Sequence, residues 1–388
     1  MTVDNKSYRI MVKFDIELKN TYGASTHLSE IINGLKKDGH EVTLLCPKRR
    51  YNKNLTYESI LVPGIGASSA IRSVTEQFMF LFYIMYHIIR LKPHFVYMRN
   101  STWNISGVFA VKILSKPCIL EVNDFFPEEL DHLKAGYLTK KLNDIMEKIN
   151  YMLCDRIITV NAEIKEKLSV RYNIPRDKID VVTNKVNTDL FRPCDKHSML
   201  ELLGLDRNYR YMCFVGKVVS WQGLENLVKA SKFVRCGDVK YLIVGDGPAK
   251  EELILLAKQL DVYDKFIFTG LVPYEDVPFY IGASDICVAP FAKGRLASPL
   301  KIFEYMACER PFISSRIDGL DDIIKRSNGG IIVTPENPME LADAMDNLLS
   351  DNDKMIEMGV NGRNYILDTS YTWDKNIEVI LDISKKCL

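Results

Sequence analysis

The run Ala297-Ser298-Pro299-Leu300-Lys301-Ile302-Phe303-Glu304-Tyr305-Met306-Ala307 combines a helix start with a cation and a carboxylate at fixed spacing. Proline suits the first turn of a helix and serine can cap the amides before it, so Ser298-Pro299 reads as an N-terminus. Lys301 and Glu304 stand three residues apart and therefore share one face close to that end. Free amides at the positive end of a helix, joined by a lysine, can hold a phosphate, and a carboxylate beside them can accept from a sugar hydroxyl. The same residues also describe an ordinary capped surface helix whose Lys and Glu form a weak pair. Alone, the motif leaves both readings open.

The elements that must position it alternate short apolar runs with longer helical patterns, the signature of parallel α/β architecture. Strands are expected at Tyr8 to Phe14, Glu41 to Cys46, Ser59 to Val62, Phe95 to Met98, Cys118 to Val122, Arg156 to Val160 and Ile179 to Val182. A second series is expected at Tyr211 to Gly216, Tyr241 to Gly245, Phe266 to Gly270, Ile286 to Pro290, Pro311 to Ser314 and Gly330 to Val333. Helical patterns such as Ser25 to Asp38 and Leu138 to Cys154 lie between them. A seam near Phe191-Arg192-Pro193 to Arg207 separates residues 1–195 from 196–365, and a terminal helical pattern over about 366–388 is expected to pack back on the first domain. Two doubly wound domains make a cleft at the carboxyl ends of their strands, where open α/β sheets bind ligands.

A length of 388 residues exceeds one ordinary core, which agrees with two domains. The net charge of +1 argues against a nucleic-acid binder. Nine cysteines without C-x-x-C spacing read as reduced thiols, and no Cys/His cluster has zinc spacing. Asp351-Asn352-Asp353 has the acid spacing of a metal motif but lies in a late polar loop, so no metal is expected. No cleavable signal precedes the first strand, so a cytoplasmic location is expected. Phe78 to Ile89 is almost uninterruptedly apolar but too short to span a bilayer. It reads first as a buried helix between the sheet and a neighbouring helix. A peripheral contact with the inner face of the cell membrane is the second reading.

Several strands of the second half end in glycine, and one such glycine says little. The ordered set says more: Phe214-Val215-Gly216-Lys217, Trp221-Gln222-Gly223-Leu224, Val244-Gly245-Asp246-Gly247-Pro248, Phe268-Thr269-Gly270, then the Ser298 to Tyr305 motif. With these, the chain resembles the retaining, nucleotide-sugar-dependent glycosyltransferases of family 4, which have the GT-B fold of two facing Rossmann-like domains. In the first half, Tyr22-Gly23-Ala24 through Gly39-His40-Glu41-Val42, Cys154 to Val160, Val182 to Asn187 and Asp189 to Pro193 fit the same pattern.

The resemblance implies a donor site made by Gly23, Gly216, Lys217, Gly270, Leu271, Val272, Ser298, Pro299, Leu300, Lys301 and Glu304. In it Lys217 and Lys301 neutralise the diphosphate, and Glu304 accepts the ribose hydroxyls. Gly270-Leu271-Val272 would lie against the base, and Asp246 to Pro248 would shape a turn. Acceptor contacts are expected from Arg99, Asn100, Asn123 and Asp124, with Asp124 orienting or deprotonating the acceptor hydroxyl. Asp124 also reads as a helix N-cap, and His27 as structural or exposed. Two departures stand out. Leu296 occupies the place of a carboxylate eight positions before Glu304, and Gln222 replaces a lysine before Gly223.

The implied activity is transfer from a nucleotide sugar, with UDP as the expected nucleotide, to a glycan, lipid-linked or small-molecule hydroxyl acceptor. No cofactor is expected, and the pathway suggested is cell-envelope or exopolysaccharide synthesis. The alternatives are a nucleotide-sugar epimerase on the same fold and a catalytically weakened nucleotide-sugar-binding partner protein.

Overall fold

The computed structural model describes residues 7–14, 23–48, 58–65, 69–101, 105–132, 136–293, 300–317 and 320–388. They form two compact units. The first holds the described residues of Met1–Lys19 and Ala24–Asn184 together with Asp374–Leu388; the second holds Gly23 and Lys185–Trp373. The chain thus leaves the first unit at Asn184 and returns to it at Asp374.

The first unit contains β1 (Arg9–Lys13), β2 (Glu41–Pro47), β3 (Ser59–Val62), β4 (Phe95–Arg99), β5 (Cys118–Val122), β6 (Arg156–Thr159) and β7 (Ile179–Val181). They form one parallel sheet in the order β3-β2-β1-β4-β5-β6-β7. The second contains β8 (Arg210–Val215), β9 (Val239–Val244), β10 (Phe266–Gly270), β11 (Ile286–Ala289), β12 (Phe312–Ser315) and β13 (Gly330–Val333), ordered β10-β9-β8-β11-β12-β13. Each expected strand is present, with bounds that match or shift by a residue or two. Central strands such as β4, β5 and β11 are buried along their whole length, because helices cover both faces of each sheet. That is why they read as unbroken apolar runs rather than alternating ones.

Strand order reverses between β1 and β4 in the first sheet and between β8 and β11 in the second. At such a switch the connecting helices diverge to opposite faces and leave a crevice above the carboxyl ends. The helix Leu300–Ala307 follows β11, so it starts beside the switch point of the second sheet.

The apolar run Phe78 to Ile89 differs from its first reading. It belongs to the helix Ser69–Leu91, whose fully buried side chains among the described residues form one stripe, Glu76, Phe80, Ile84 and Ile88. Phe78, Phe82, Tyr86 and Ile89 lie on the other side and are exposed. A helix in the outermost layer can offer the sheet only one face, and residues two apart point almost oppositely. Among the described residues, no helix is long and apolar enough to cross a membrane.

Candidate functional site

In the second unit the β8 strand runs out at Val215, and the backbone turns through Gly216 at φ +141°. That conformation favours glycine, and a side chain there would begin 2.9 Å from the Lys301 ammonium and force it to shift. Lys301 is buried, and its Nζ lies 3.9 Å from the centre of the Phe214 ring and 5.3 Å from that of Phe291. It donates to Gln222 Oε1 at 2.8 Å. Burial drives its pKa down to about 7, against the opposing pull of the Glu304 carboxylate. A dry, weakly basic ammonium at a sheet switch point suits an anion that arrives with its own charge.

The helix Leu300–Ala307 is fixed to the strand it serves, because Val215 N donates to Tyr305 Oη at 3.0 Å. One turn from Lys301, Glu304 is also buried and accepts from Tyr274 Oη at 3.1 Å. Lys217 stands exposed in the loop after Gly216. Gly270 ends β10 with φ +71°, and its carbonyl accepts from Gly245 N at 3.0 Å, while Leu271 beyond it is exposed. Asp246 Oδ1 accepts from Gly247 N at 2.7 Å and so closes its own turn. Gly216, Leu300, Lys301 and Glu304 therefore gather at one strand end of the second sheet. Ser298 and Pro299, like Leu296, lie outside the described residues, and Gly23 opens the helix Gly23–Lys37 that follows β1.

At the carboxyl edge of the first sheet, Arg99 ends β4, packs 5.3 Å from the centre of the Phe14 ring and lies 4.0 Å from the half-exposed Asp124 carboxylate. Asn123 follows β5 and is partly buried. Asn100, expected among the acceptor contacts, is buried. Its side-chain nitrogen turns inward and donates to Glu147 Oε1 at 3.1 Å and Tyr151 Oη at 2.9 Å. The buried Glu147 carboxylate needs donors more than any surface ligand does, and that demand captures the amide.

Sequence reasoning passed over three contacts. His27 is buried and pairs with Glu121 at the end of β5, where Tyr97 Oη also donates to Glu121 Oε2 at 2.9 Å. Burial pushes the Glu121 pKa upward, but His27, Arg99 and Asn123 outweigh it and hold the carboxyl at about 2. The other two are Gln222 as the acceptor for Lys301 and Tyr274 as the donor to Glu304. Gln222 had a signal, since it stands where a lysine was expected. Tyr274 and the His27–Glu121 pair depend on tertiary contacts and had none.

Comparison with known proteins places both halves in one family setting. Residues 196–365 match the family model "Glycosyl transferases group 1", and residues 21–190 match "Glycosyltransferase Family 4". An uncharacterised glycosyltransferase of Methanocaldococcus jannaschii is 29% identical over 247 residues, 62% of this chain and 62% of that protein. The α-D-kanosaminyltransferase of Streptomyces kanamyceticus is 25% identical over 53% of this chain and 54% of its own length. The chain thus spans under two thirds of the length of both relatives. An α-maltose-1-phosphate synthase of Mycolicibacterium smegmatis is 24% identical over 74% of this chain and 78% of that protein. Among solved structures, sucrose-phosphate synthase from Thermosynechococcus elongatus superposes with a TM-score of 0.78 at 17% identity, covering 98% of each chain. HepE from Anabaena, solved with UDP and glucose, gives 0.78 at 16% identity over 97% of this chain and 99% of that one. These likenesses are of fold: GT-B, α/β.

Proposed function

Because this chain belongs to the group 1, family 4 glycosyltransferases, we propose that it transfers a sugar from a UDP-sugar to a hydroxyl acceptor with retention of configuration. The observation that carries this reading is the buried Lys301 ammonium, held by Gln222 at the β8 and β11 strand ends with the Glu304 carboxylate one turn away. A diphosphate beside Lys301 would receive the charge it needs as the sugar–phosphate bond breaks, with Lys217 as a second cation at the rim. Glu304, oriented by Tyr274, would accept the ribose hydroxyls. Gly270-Leu271-Val272 offers backbone groups and an apolar side chain to the base. HepE was solved with UDP and glucose, which supports UDP as the nucleotide.

On this reading the first unit takes the acceptor, with Asp124 orienting its hydroxyl beside Arg99 and Asn123. The acceptor is a glycan, lipid-linked or small-molecule alcohol of an envelope or exopolysaccharide pathway. No metal enters the mechanism, since lysines and helix amides carry the phosphate charge.

The test is thermal stabilisation by a panel of nucleotide sugars, followed by release of UDP with candidate alcohols. Lys217→Ala and Glu304→Ala each remove a charged hydrogen bond and are expected to weaken UDP-sugar binding by about tenfold to a hundredfold. Unchanged affinity in both variants would move the donor site elsewhere. Tight binding without UDP release on any alcohol would leave the weakened binding protein as the answer.

A further inference from the structure

We propose that the outer face of three helices in the first unit, Ser69–Leu91, Ser106–Ile113 and Tyr137–Leu153, seats on an anionic lipid bilayer. The three pack side by side on one face of the first sheet and feed the same core: Ile84 and Ile88 from the first, Val108 and Val111 from the second, Tyr151 from the third. Their opposite sides therefore point away from the sheet together. The first helix shows Phe78, Phe82, Tyr86 and Ile89 there, with Phe82 63% exposed. Phe109 and Ile113 continue the patch on the middle helix, and Leu138, Ile145 and Met152 run along the third. Monomeric soluble proteins rarely leave so many large apolar side chains of neighbouring helices open to water on one face.

Charge decides what covers this face. The three helices carry three acidic residues in all. Glu76 and Glu147 are buried, and Asp144 is held by Arg171 at 2.8 Å. The exposed charges at the patch are basic: Lys141 and Lys148 stand among Leu138, Ile145 and Met152, and Arg90 and Lys92 close the end of the first helix. Lysines set within an apolar stripe can lay their stems on it and present the ammonium to phosphate headgroups. A second copy of this chain would instead bring the same positive charges face to face. An anionic leaflet satisfies both the apolar area and the charge.

Sedimentation with vesicles tests this without any nucleotide sugar, so its outcome is separate from that of the donor-site reading. The full chain is expected to bind vesicles of mixed phosphatidylcholine and phosphatidylglycerol, to bind phosphatidylcholine alone more weakly, and to be partly released by salt. Combining Phe82→Gln with Ile145→Gln should lower the bound-to-free ratio at least about tenfold. Combining Lys141→Glu with Lys148→Glu should lower it on the anionic vesicles selectively. All four positions are exposed, so both variants should keep the wild-type melting midpoint and the response to UDP-glucose. No binding by the wild type, or equal binding by wild type and both variants, overturns the proposal. So does a concentration-dependent dimer in light scattering that Phe82→Gln disperses, since the face would then belong to a second copy.

Discussion

Lys301 occupies two environments that pull its proton in opposite directions. Burial favours the neutral amine and brings its pKa from the ordinary 10.5 to about 7, while the Glu304 carboxylate and the faces of Phe214 and Phe291 favour the ammonium. Folding therefore expels a proton between those values. A buried lysine of this kind makes the folded chain less stable as pH falls from 10.5 towards 7 and adds no further cost below that. In the proposed donor complex a diphosphate would do the reverse, stabilising the ammonium and raising its pKa. UDP-glucose affinity is thus expected to be greatest below pH 7 and to fall as pH rises through it, by up to about tenfold per pH unit. Calorimetry in buffers of different ionisation enthalpy should record proton uptake on binding. In Lys301→Met both the uptake and the pH dependence should vanish; a variant that kept them would assign the titration to another group. Gln222→Met removes the acceptor that favours the ammonium, so the affinity loss should begin at lower pH.

At the scale of elements, the site depends on strand ends that tolerate no side chain. Gly223 has φ +66°, and a Cβ there would collide with the Pro290 carbonyl oxygen, so the short helical turn Ser220–Gln222 is clamped against the end of β11. Gly223→Ala should cost at least about 1–2 kcal/mol from the left-handed backbone alone, with the clash added. The expected result is a lower melting midpoint of the second unit together with weaker UDP-glucose binding, because Gln222 moves with the turn. Affinity unchanged in a destabilised variant would show that Gln222 does not set the Lys301 position. The sequence made these strands legible because buried parallel strands are written as unbroken Val, Ile and Phe runs closed by glycine. It misread the Ser69–Leu91 helix, whose composition is that of a buried helix although its Phe78, Phe82, Tyr86 and Ile89 side is exposed. Local pattern reports how apolar a segment is, not which of its faces has a partner. The same limit hid Tyr274 and the His27–Glu121 pair. Each joins residues far apart in the chain, and nothing in the local sequence of either partner announces the other.

For the whole molecule, the path of the chain matters as much as its two sheets. The helix Trp373–Lys385 follows the second unit in sequence, yet Asp374–Leu388 belongs to the first. Ile377 packs against Gly34, Asn376 Nδ2 donates to the Thr183 carbonyl at 2.9 Å, and Lys37 pairs with Asp374 at 2.8 Å. The exposed Lys37–Asp374 pair adds little. The weight lies in Ile377, Ile380 and Ile383, all buried, each worth about 2 kcal/mol of apolar burial. Removing residues 374–388 is therefore expected to destabilise the first unit by several of those increments while sparing the second unit, whose core draws on residues up to Tyr371. Calorimetry should show one transition moved down or lost, and a second still raised by UDP-glucose. If instead the response to UDP-glucose disappeared with the helix, the donor site would depend on the first unit for its integrity, and the division of labour between the two halves would have to be redrawn.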